Sequence, residues 1–306
     1  MVCAREIFGA EFEEMFLLEQ YQKNPTKHGI RDFGLEVTIV RMSKLPSIAL
    51  IHGWATEPTI WDPVCAELEA AGHRVTVYEM PGYGSRRAEK SNVTVEELAQ
   101  DAIEKLKGCD VWVGWSLGAM IALKAAAEKP TVCRGIFAVC PTAKFCCDTE
   151  KEVALQQLLD SVQSDPVKAT KRFRRSMASP ENRKPMAVRL REMHPPRLRR
   201  PSQREGDAGG TPTRETLFAG LEILKINDLT PDLACIKIPV RILSGALDPI
   251  IPCSSGKELH RQIANSTYTT LPCGHVPFLE CPQQFMEQLF EFTKTIPGSS
   301  ADSEPV

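Results

Sequence analysis

The chain has 306 residues, of which 42% are hydrophobic, and it carries a net charge of −2. This composition is ordinary for a globular protein, and the balanced charge argues against nucleic acid or a membrane as the partner. No apolar run approaches the ~20 residues that a membrane-spanning helix needs. The 11 cysteines show no metal-ligand spacing, and the start of the chain has no signal-peptide pattern. We therefore expect a cytoplasmic, monomeric protein with reduced thiols and with neither a metal nor a cofactor.

Short apolar strands alternate with helical segments along most of the chain. In chain order, the predicted strands lie at 35–40, 47–51, 74–78, 111–113, 135–139, 240–244 and 266–271. Helices are predicted between them, one of them behind a capping box formed by Thr94 and Glu97. Strands that are apolar throughout are typical of parallel sheets, which are buried on both faces. We therefore predict an α/β fold with a mostly parallel, doubly wound sheet over residues 35–148 and 228–296.

The alternation lapses between residues 149 and 227, where the sequence is helical in character and strongly basic. We interpret 149–227 as a helical lid inserted into the sheet domain. Within it, residues 195–212 are rich in Pro, Gly and Arg and predict a mobile loop. Residues 1–34 are interpreted as an N-terminal extension and residues 297–306 as a disordered tail.

The stretch Gly114-Trp115-Ser116-Leu117-Gly118 fits the G-x-S-x-G pattern of a nucleophile elbow. It follows an apolar strand and precedes a run of good helix formers, which is the context that the pattern requires. In so tight a turn, side chains two residues either side of the serine would collide with the strand and the helix, so glycines are needed there. The alternative is a chance match at a strand–helix junction. The context favours Ser116 as a nucleophile.

A serine hydroxyl needs a general base, and the base needs an acid that fixes its tautomer. In proteins with this elbow, the acid and then the histidine follow the serine along the chain. His275, just after the last strand, is the predicted base, and Asp248, after the strand before it, is the predicted acid. An aspartate before proline is more commonly a turn or cap residue. Asp148 is a weaker competitor for the same role.

The backbone N–H groups of Leu117 and Trp54 are the predicted oxyanion donors. One follows the nucleophile, and the other lies in the loop after an early strand. The indoles of Trp54 and Trp115 leave two interpretations open, because they either line an apolar substrate channel or pack in the core.

Positive charge is concentrated in the predicted lid. Residues 168–204 contain 13 Lys and Arg residues against two acidic ones. Such a run is usually a solvated face, but beside an active site it also suits docking of a polyanionic partner. An acidic carrier protein fits an esterase lid better than nucleic acid, for which no binding module is visible.

Several stretches together resemble the pimeloyl-acyl carrier protein methyl ester esterases of biotin synthesis, which have the α/β-hydrolase fold. They are His52–Trp54, Gly114–Gly118, Gly220–Lys225, Leu247–Asp248 and His275–Phe278. The resemblance implies a catalytic triad of Ser116, Asp248 and His275. It also implies that Phe173 helps to cover the ester and that basic lid residues hold the acyl carrier protein. The candidates for this second role are Lys168, Arg172, Arg175, Arg189 and Arg191.

The leading hypothesis is an esterase that hydrolyses the methyl ester of a pimeloyl-carrier protein to the free acid and methanol. The alternative is a broad-specificity short-chain carboxylesterase that does not require a carrier. A non-catalytic receptor that has kept the fold is a third possibility, and the presence of the serine, the aspartate and the histidine argues against it.

Overall fold

A computed structural model describes residues 44–89, 94–184 and 212–299. The strands in these ranges are β1 (Ile48–Ile51), β2 (Val75–Tyr78), β3 (Val111–Trp115), β4 (Gly135–Val139), β5 (Val240–Gly245) and β6 (Ser266–Leu271). They form one sheet in the order β2-β1-β3-β4-β5-β6, and every neighbouring pair is parallel. The strand predicted at 35–40 and the extension at 1–34 lie outside the described residues.

The α-helices of the described ranges are α1 (Asp62–Ala70), α2 (Val95–Lys105), α3 (Leu117–Glu128), α4 (Thr149–Ser164), α5 (Pro166–Ser176), α6 (Arg214–Ile226), α7 (Cys253–Gln262), α8 (Pro277–Glu280) and α9 (Pro282–Lys294). Short 3-10 helices lie at Pro58–Trp61, Gly84–Arg86 and Thr230–Cys235. The predicted capping box opens α2, where Thr94 and Glu97 exchange side-chain to backbone hydrogen bonds. Over the part of the chain that is described, none of the helices combines the length and the apolar character needed to cross a bilayer.

Apolar cores lie on both faces of the sheet. Side chains alternate along β3, so that Val111 and Val113 pack in a cluster with residues of α1 and α9. Trp112, on the other face, packs in a cluster with residues of α2 and α3. The parallel, doubly wound architecture predicted from the apolar strands is confirmed, and its physical reason is this burial on both faces.

The sheet places the predicted site residues at one edge. In parallel sheets the loops at the carboxyl ends of the strands lie together, and ligands bind where the strand order reverses. Here the order reverses between β1 and β3, and Ser116 directly follows β3. The loops after β1 and β3 therefore meet at the expected position of a site.

The stretch predicted as a lid contains α4, α5 and α6 in its described parts. Its proposed mobile loop, 195–212, lies outside the described residues except for Pro212. The division of the chain into a core and a lid stays a prediction.

The described start of the predicted tail, residues 297–299, makes hydrogen bonds to the rest of the chain. The Gly298 N–H donates to the Lys44 carbonyl and the Ser299 N–H donates to the Asp110 carboxylate. These hydrogen bonds hold residues 297–299 against the segments that precede β1 and β3. Residues 300–306 lie outside the described part of the chain.

Candidate active site

The strand, sharp turn and helix predicted around Ser116 are present. Ser116 lies between β3 and α3 with a φ of 55° and a ψ of −117°, a conformation that residues with a Cβ seldom adopt. Its N–H donates to the Val139 carbonyl at 3.0 Å, which holds the turn against β4. A Cβ on Gly114 would lie 2.5 Å from the Gly118 carbonyl oxygen, and one on Gly118 would collide with the Ile51 carbonyl. Both glycines are therefore required for the close approach of strand and helix.

Three predicted residues form a continuous line of hydrogen bonds. His275 Nε2 lies 2.9 Å from Ser116 Oγ, and His275 Nδ1 lies 2.7 Å from Asp248 Oδ2. His275 and the Asp248 side chain are almost completely buried, so water does not compete for these bonds. With the proton on Nδ1 held by the carboxylate, Nε2 is free to accept the proton of the serine hydroxyl. The geometry suits general-base activation of Ser116.

The two roles considered for Asp248, catalytic acid and turn residue, belong to different oxygens of its carboxylate. Oδ2 faces His275, while Oδ1 accepts the Ile250 and Ile251 N–H groups at 2.7 and 2.9 Å, as a turn aspartate does. Asp148 instead caps α4, where its Oδ1 accepts the Lys151 N–H at 2.8 Å and its side chain is exposed. The structure brings Asp248, and not Asp148, to the histidine.

The predicted oxyanion donors lie on the loops that follow β1 and β3. Leu117 is the first residue of α3, and its N–H is one of the donors that a helix leaves without an intrahelical acceptor. Trp54 lies in the loop after β1, and its indole N–H donates to the Leu217 carbonyl of α6 at 2.8 Å. The Phe173 ring packs edge-on against Trp54, with ring centroids 4.7 Å apart. Gly220 is needed here because a Cβ would collide with the Trp54 indole.

A mainly apolar cavity lies beside Leu117. It is enclosed by the loop after β2, by α2 and by α6, and its lining includes Met80, Tyr83, Leu98, Gly220 and Ile223. The cavity is small, about 20 Å³, so an acyl chain that enters it must displace some of the lining side chains.

This arrangement was compared with known proteins. Residues 48–288 match the alpha/beta hydrolase family. The chain belongs to that family. It is also similar to proteins named pimeloyl-[acyl-carrier protein] methyl ester esterase, so the resemblance inferred from the motifs is confirmed. It is 27% identical to the one from Vibrio vulnificus over 254 residues, which are 81% of this chain and 94% of that protein. It is 28% identical to the one from Vibrio cholerae over 252 residues, 80% of this chain and 93% of that protein.

Solved structures of other α/β-hydrolases share the fold. An esterase from Exiguobacterium antarcticum superposes with a TM-score of 0.69 at 18% identity, over 83% of this chain and 93% of that one. An enol-lactonase from Burkholderia xenovorans superposes with a TM-score of 0.67 at 21% identity, again over 83% and 93%. At these identities the likeness concerns the fold alone.

Trp115 packs in the core of this α/β-hydrolase. It is fully buried, and its ring lies edge-on to Trp61 and Phe278 at centroid distances of 6.5 and 5.1 Å. Its indole N–H donates to the His275 carbonyl at 2.7 Å. The interpretation of Trp115 as a channel wall is therefore corrected in favour of the core. Alternation along β3 is the reason, since Trp115 shares a face with Val113.

Cys140 is a site residue that sequence reasoning missed. It follows β4 with a φ of 46°, and its buried thiol lies beside the Asp248 carboxylate. Burial, followed by the charge of Asp248, raises the pKa of this thiol well above its ordinary value. The position after a predicted apolar strand was the available signal. Donor atoms of Cys140, Asp248 and His275 lie within 4.8 Å of one another, a spacing that admits a metal ion. Because Asp248 and His275 already hydrogen bond each other, we assign them to proton transfer.

Glu280 is a second missed residue, and it fixes the loop that carries His275. Its Oε1 accepts the Gly274 N–H at 2.9 Å, and its Oε2 accepts the Ser179 N–H and hydroxyl at 3.1 and 2.7 Å. The His275 N–H donates to the Met177 carbonyl at 2.7 Å. The histidine loop is thus tied to the chain that leaves α5. The bonds between Ser179 and Glu280 join residues 101 apart in the chain, so no local sequence pattern predicts them.

The predicted carrier-binding residues divide into two groups. Lys168, Arg172 and Arg175 are exposed on α5. Arg189 and Arg191 lie outside the described residues.

Proposed function

We propose that this chain is a serine esterase that hydrolyses the methyl ester of a pimeloyl group bound to an acyl carrier protein. The observation that carries the ester chemistry is the hydrogen-bonded line from Ser116 through His275 to Asp248. Similarity to proteins named for this reaction supports the choice of substrate.

Each group has one role in the proposed mechanism. Ser116 Oγ attacks the ester carbonyl carbon while His275 Nε2 takes the hydroxyl proton, and Asp248 stabilises the imidazolium that forms. The carbonyl oxygen becomes an oxyanion, which the N–H groups of Leu117 and Trp54 stabilise. As the bond to the methoxy group breaks, His275 returns the proton and methanol leaves. Water, deprotonated by His275, then attacks the acyl-serine, which releases the free acid and restores the hydroxyl of Ser116.

Two surfaces support a substrate delivered by a carrier. The small cavity beside Leu117 is lined mainly by apolar side chains, and the Phe173 ring packs against Trp54, so an acyl group delivered here meets apolar surroundings. The exposed basic residues of α5 suit the acidic surface of a carrier protein. The cytoplasmic location, the monomeric state and the absence of a metal and a cofactor stay predictions.

The test is an assay of the purified chain on carrier-bound methyl pimelate and on free monomethyl pimelate. We expect both to be hydrolysed, with a higher kcat/KM for the carrier-bound ester. Ser116→Ala should fold normally and lose activity by about 10⁴-fold or more, as removal of a triad serine does elsewhere.

Each other outcome leads to a different conclusion. Equal kcat/KM values for the two esters would support the broad carboxylesterase. An alanine variant that retains a tenth of the wild-type turnover would remove Ser116 from the mechanism. No hydrolysis and no labelling of Ser116 by a fluorophosphonate would support the receptor.

A further inference from the structure

Helix α5 has two faces of different chemistry. Thr170, Phe173, Arg174 and Met177 follow the i, i+3, i+4, i+7 spacing of one helix face and are buried or half-buried. The opposite face, here named the basic face, is exposed and consists of Lys168, Lys171, Arg172 and Arg175. Arg174 is therefore the basic residue of α5 that turns toward the protein.

Arg174 holds the loop that carries a proposed oxyanion donor. Its Nε donates to the Ala55 carbonyl oxygen at 2.7 Å, a bond between residues 119 apart in the chain. Ala55 directly follows Trp54, whose backbone N–H is assigned to the oxyanion. A hydrogen bond at the Ala55 carbonyl restrains the backbone torsions of Ala55 and thereby the end of the loop that follows the Trp54 N–H.

The backbone at this point needs external support. Ala55 is fully buried and has a φ of 58°, in the left-handed region that non-glycine residues seldom adopt. Such conformations persist where the surrounding structure holds them. The Ala55 N–H contacts the Tyr83 hydroxyl only at 3.4 Å. The Gly53 carbonyl, which shares a peptide plane with the Trp54 N–H, accepts hydrogen bonds within the loop from Thr56 Oγ1 at 2.9 Å and from His52 Nδ1 at 3.0 Å. The short bond from Arg174 comes from outside the loop and is made by a different helix.

The guanidinium of Arg174 stays charged although it is largely removed from water. Glu57 lies on the same loop, pairs with Arg87 at 3.0 Å and accepts the Gly84 N–H at 3.0 Å. Burial lowers the pKa of Arg174, and the nearby charge of Glu57 opposes that shift. A guanidinium in a protein stays protonated. The bond to Ala55 is therefore a charge-assisted one, which is stronger than a bond between neutral groups.

We propose that Arg174 is a positioning residue for ester hydrolysis, which holds the Ala55 end of the loop that carries the Trp54 N–H and so couples the packing of α5 to the oxyanion site. The inference rests on the proposed esterase function. Because the basic face belongs to the same helix, a carrier protein docked there is connected to the oxyanion loop through a single element.

The test compares Arg174→Gln with the wild-type chain on p-nitrophenyl butyrate. A misdirected oxyanion donor lowers kcat by about 10- to 100-fold, less than the loss of a whole donor, and leaves KM within about threefold. A trifluoromethyl ketone, which forms a tetrahedral oxyanion on Ser116, should lose affinity by the same factor as kcat/KM. Arg174→Lys keeps the charge next to Glu57 and should recover part of kcat.

Two controls separate positioning from damage to the fold. Arg261→Gln removes an exposed guanidinium that pairs with Glu258 on α7, and it should leave kcat, KM and ketone affinity unchanged. Titration of active sites with a phosphonate ester counts the competent molecules. Fewer competent molecules with wild-type ketone affinity would overturn the proposal, as would a raised KM with an unchanged kcat.

The small ester also separates this inference from the proposed function. Residual hydrolysis by Ser116→Ala would contradict the esterase mechanism itself. Wild-type constants for Arg174→Gln, with an inactive Ser116→Ala, would contradict only the role of Arg174.

Discussion

At the scale of single residues, Asp248 divides its two carboxylate oxygens between two tasks. Oδ1 holds the turn after β5 through the Ile250 and Ile251 N–H groups, and Oδ2 holds His275. The turn bonds fix the carboxylate in place, which also fixes the histidine ring. An asparagine side chain has the same shape and can keep the turn bonds through its Oδ1. It cannot hold the histidine in the required tautomer, because its NH₂ group does not accept a hydrogen bond from Nδ1–H.

Asp248→Asn is therefore expected to keep the fold and to lower kcat by about 10⁴-fold, as the wrong histidine tautomer does in serine proteases. Asp148→Asn is the matched control, since Asp148 is an exposed helix cap and its replacement should change turnover little. Steady-state kinetics of both variants on a small ester decide the matter. If Asp148→Asn lowered kcat more than Asp248→Asn did, the catalytic acid would instead be Asp148, in the loop after β4.

At the scale of elements, α5 presents to solvent the largest positive charge of the described lid helices. Four basic side chains, the basic face, lie on two successive turns. Exposed charges of this kind contribute little to stability. They instead speed the approach of a partner of opposite charge.

Charge reversal at Arg172 and Arg175 should lower kcat/KM on the carrier-bound ester, mainly through slower association, and should leave a small neutral ester almost unaffected. Raising the salt concentration should act in the same direction, because such fields are screened within about 8 Å at physiological ionic strength. Stopped-flow association and steady-state kinetics measure both effects. If neither salt nor charge reversal changed kcat/KM on the carrier-bound ester, the basic face would be only a solvated surface.

At the scale of the whole molecule, the stability of the fold depends on pH through a buried, neutral histidine in the loop after β1. His52 follows β1, is fully buried and packs against Tyr83 with ring centroids 4.9 Å apart. Its Nδ1–H donates to the Gly53 carbonyl at 3.0 Å, and within the described ranges its Nε2 has no hydrogen-bond partner. Burial lowers the pKa of His52 to about 4.

At His52, the unfolded chain consequently binds more protons than the folded one between pH 4 and 6.5. The contribution of neutral His52 to stability is complete above about pH 6.5 and is lost as the pH falls toward 4, by about 3 kcal/mol in all. Urea unfolding at pH 7.5 and pH 4.5 measures this loss. His52→Gln should remove that part of the pH dependence, whereas His260→Gln, at an exposed position, should keep it. Equal pH dependence in wild type and His52→Gln would refute the link.

Local patterns in the sequence determined the elements and the elbow of this protein. Apolar runs predicted the strands, and the glycines two residues either side of Ser116 predicted the turn, because both depend on neighbours within a few residues. Chain order and strand ends then placed Asp248 and His275 at the same sheet edge as Ser116. The geometry that joins these three agrees with this placement, and their catalytic roles await the kinetic tests.

Tertiary structure alone decided which side chains meet across long sequence distances. It buried both Trp115 and Trp54, the first among the rings of Trp61 and Phe278 and the second against α5 and α6. It turned Arg174 inward among basic neighbours that face solvent, and it set Glu280 between the histidine loop and the chain after α5. The contacts of Arg174 with Ala55 and of Glu280 with Ser179 join residues 119 and 101 apart in the chain. Such contacts depend on how the elements pack. The periodic pattern of a helix or strand predicts which of its faces is buried, but not which element packs against that face.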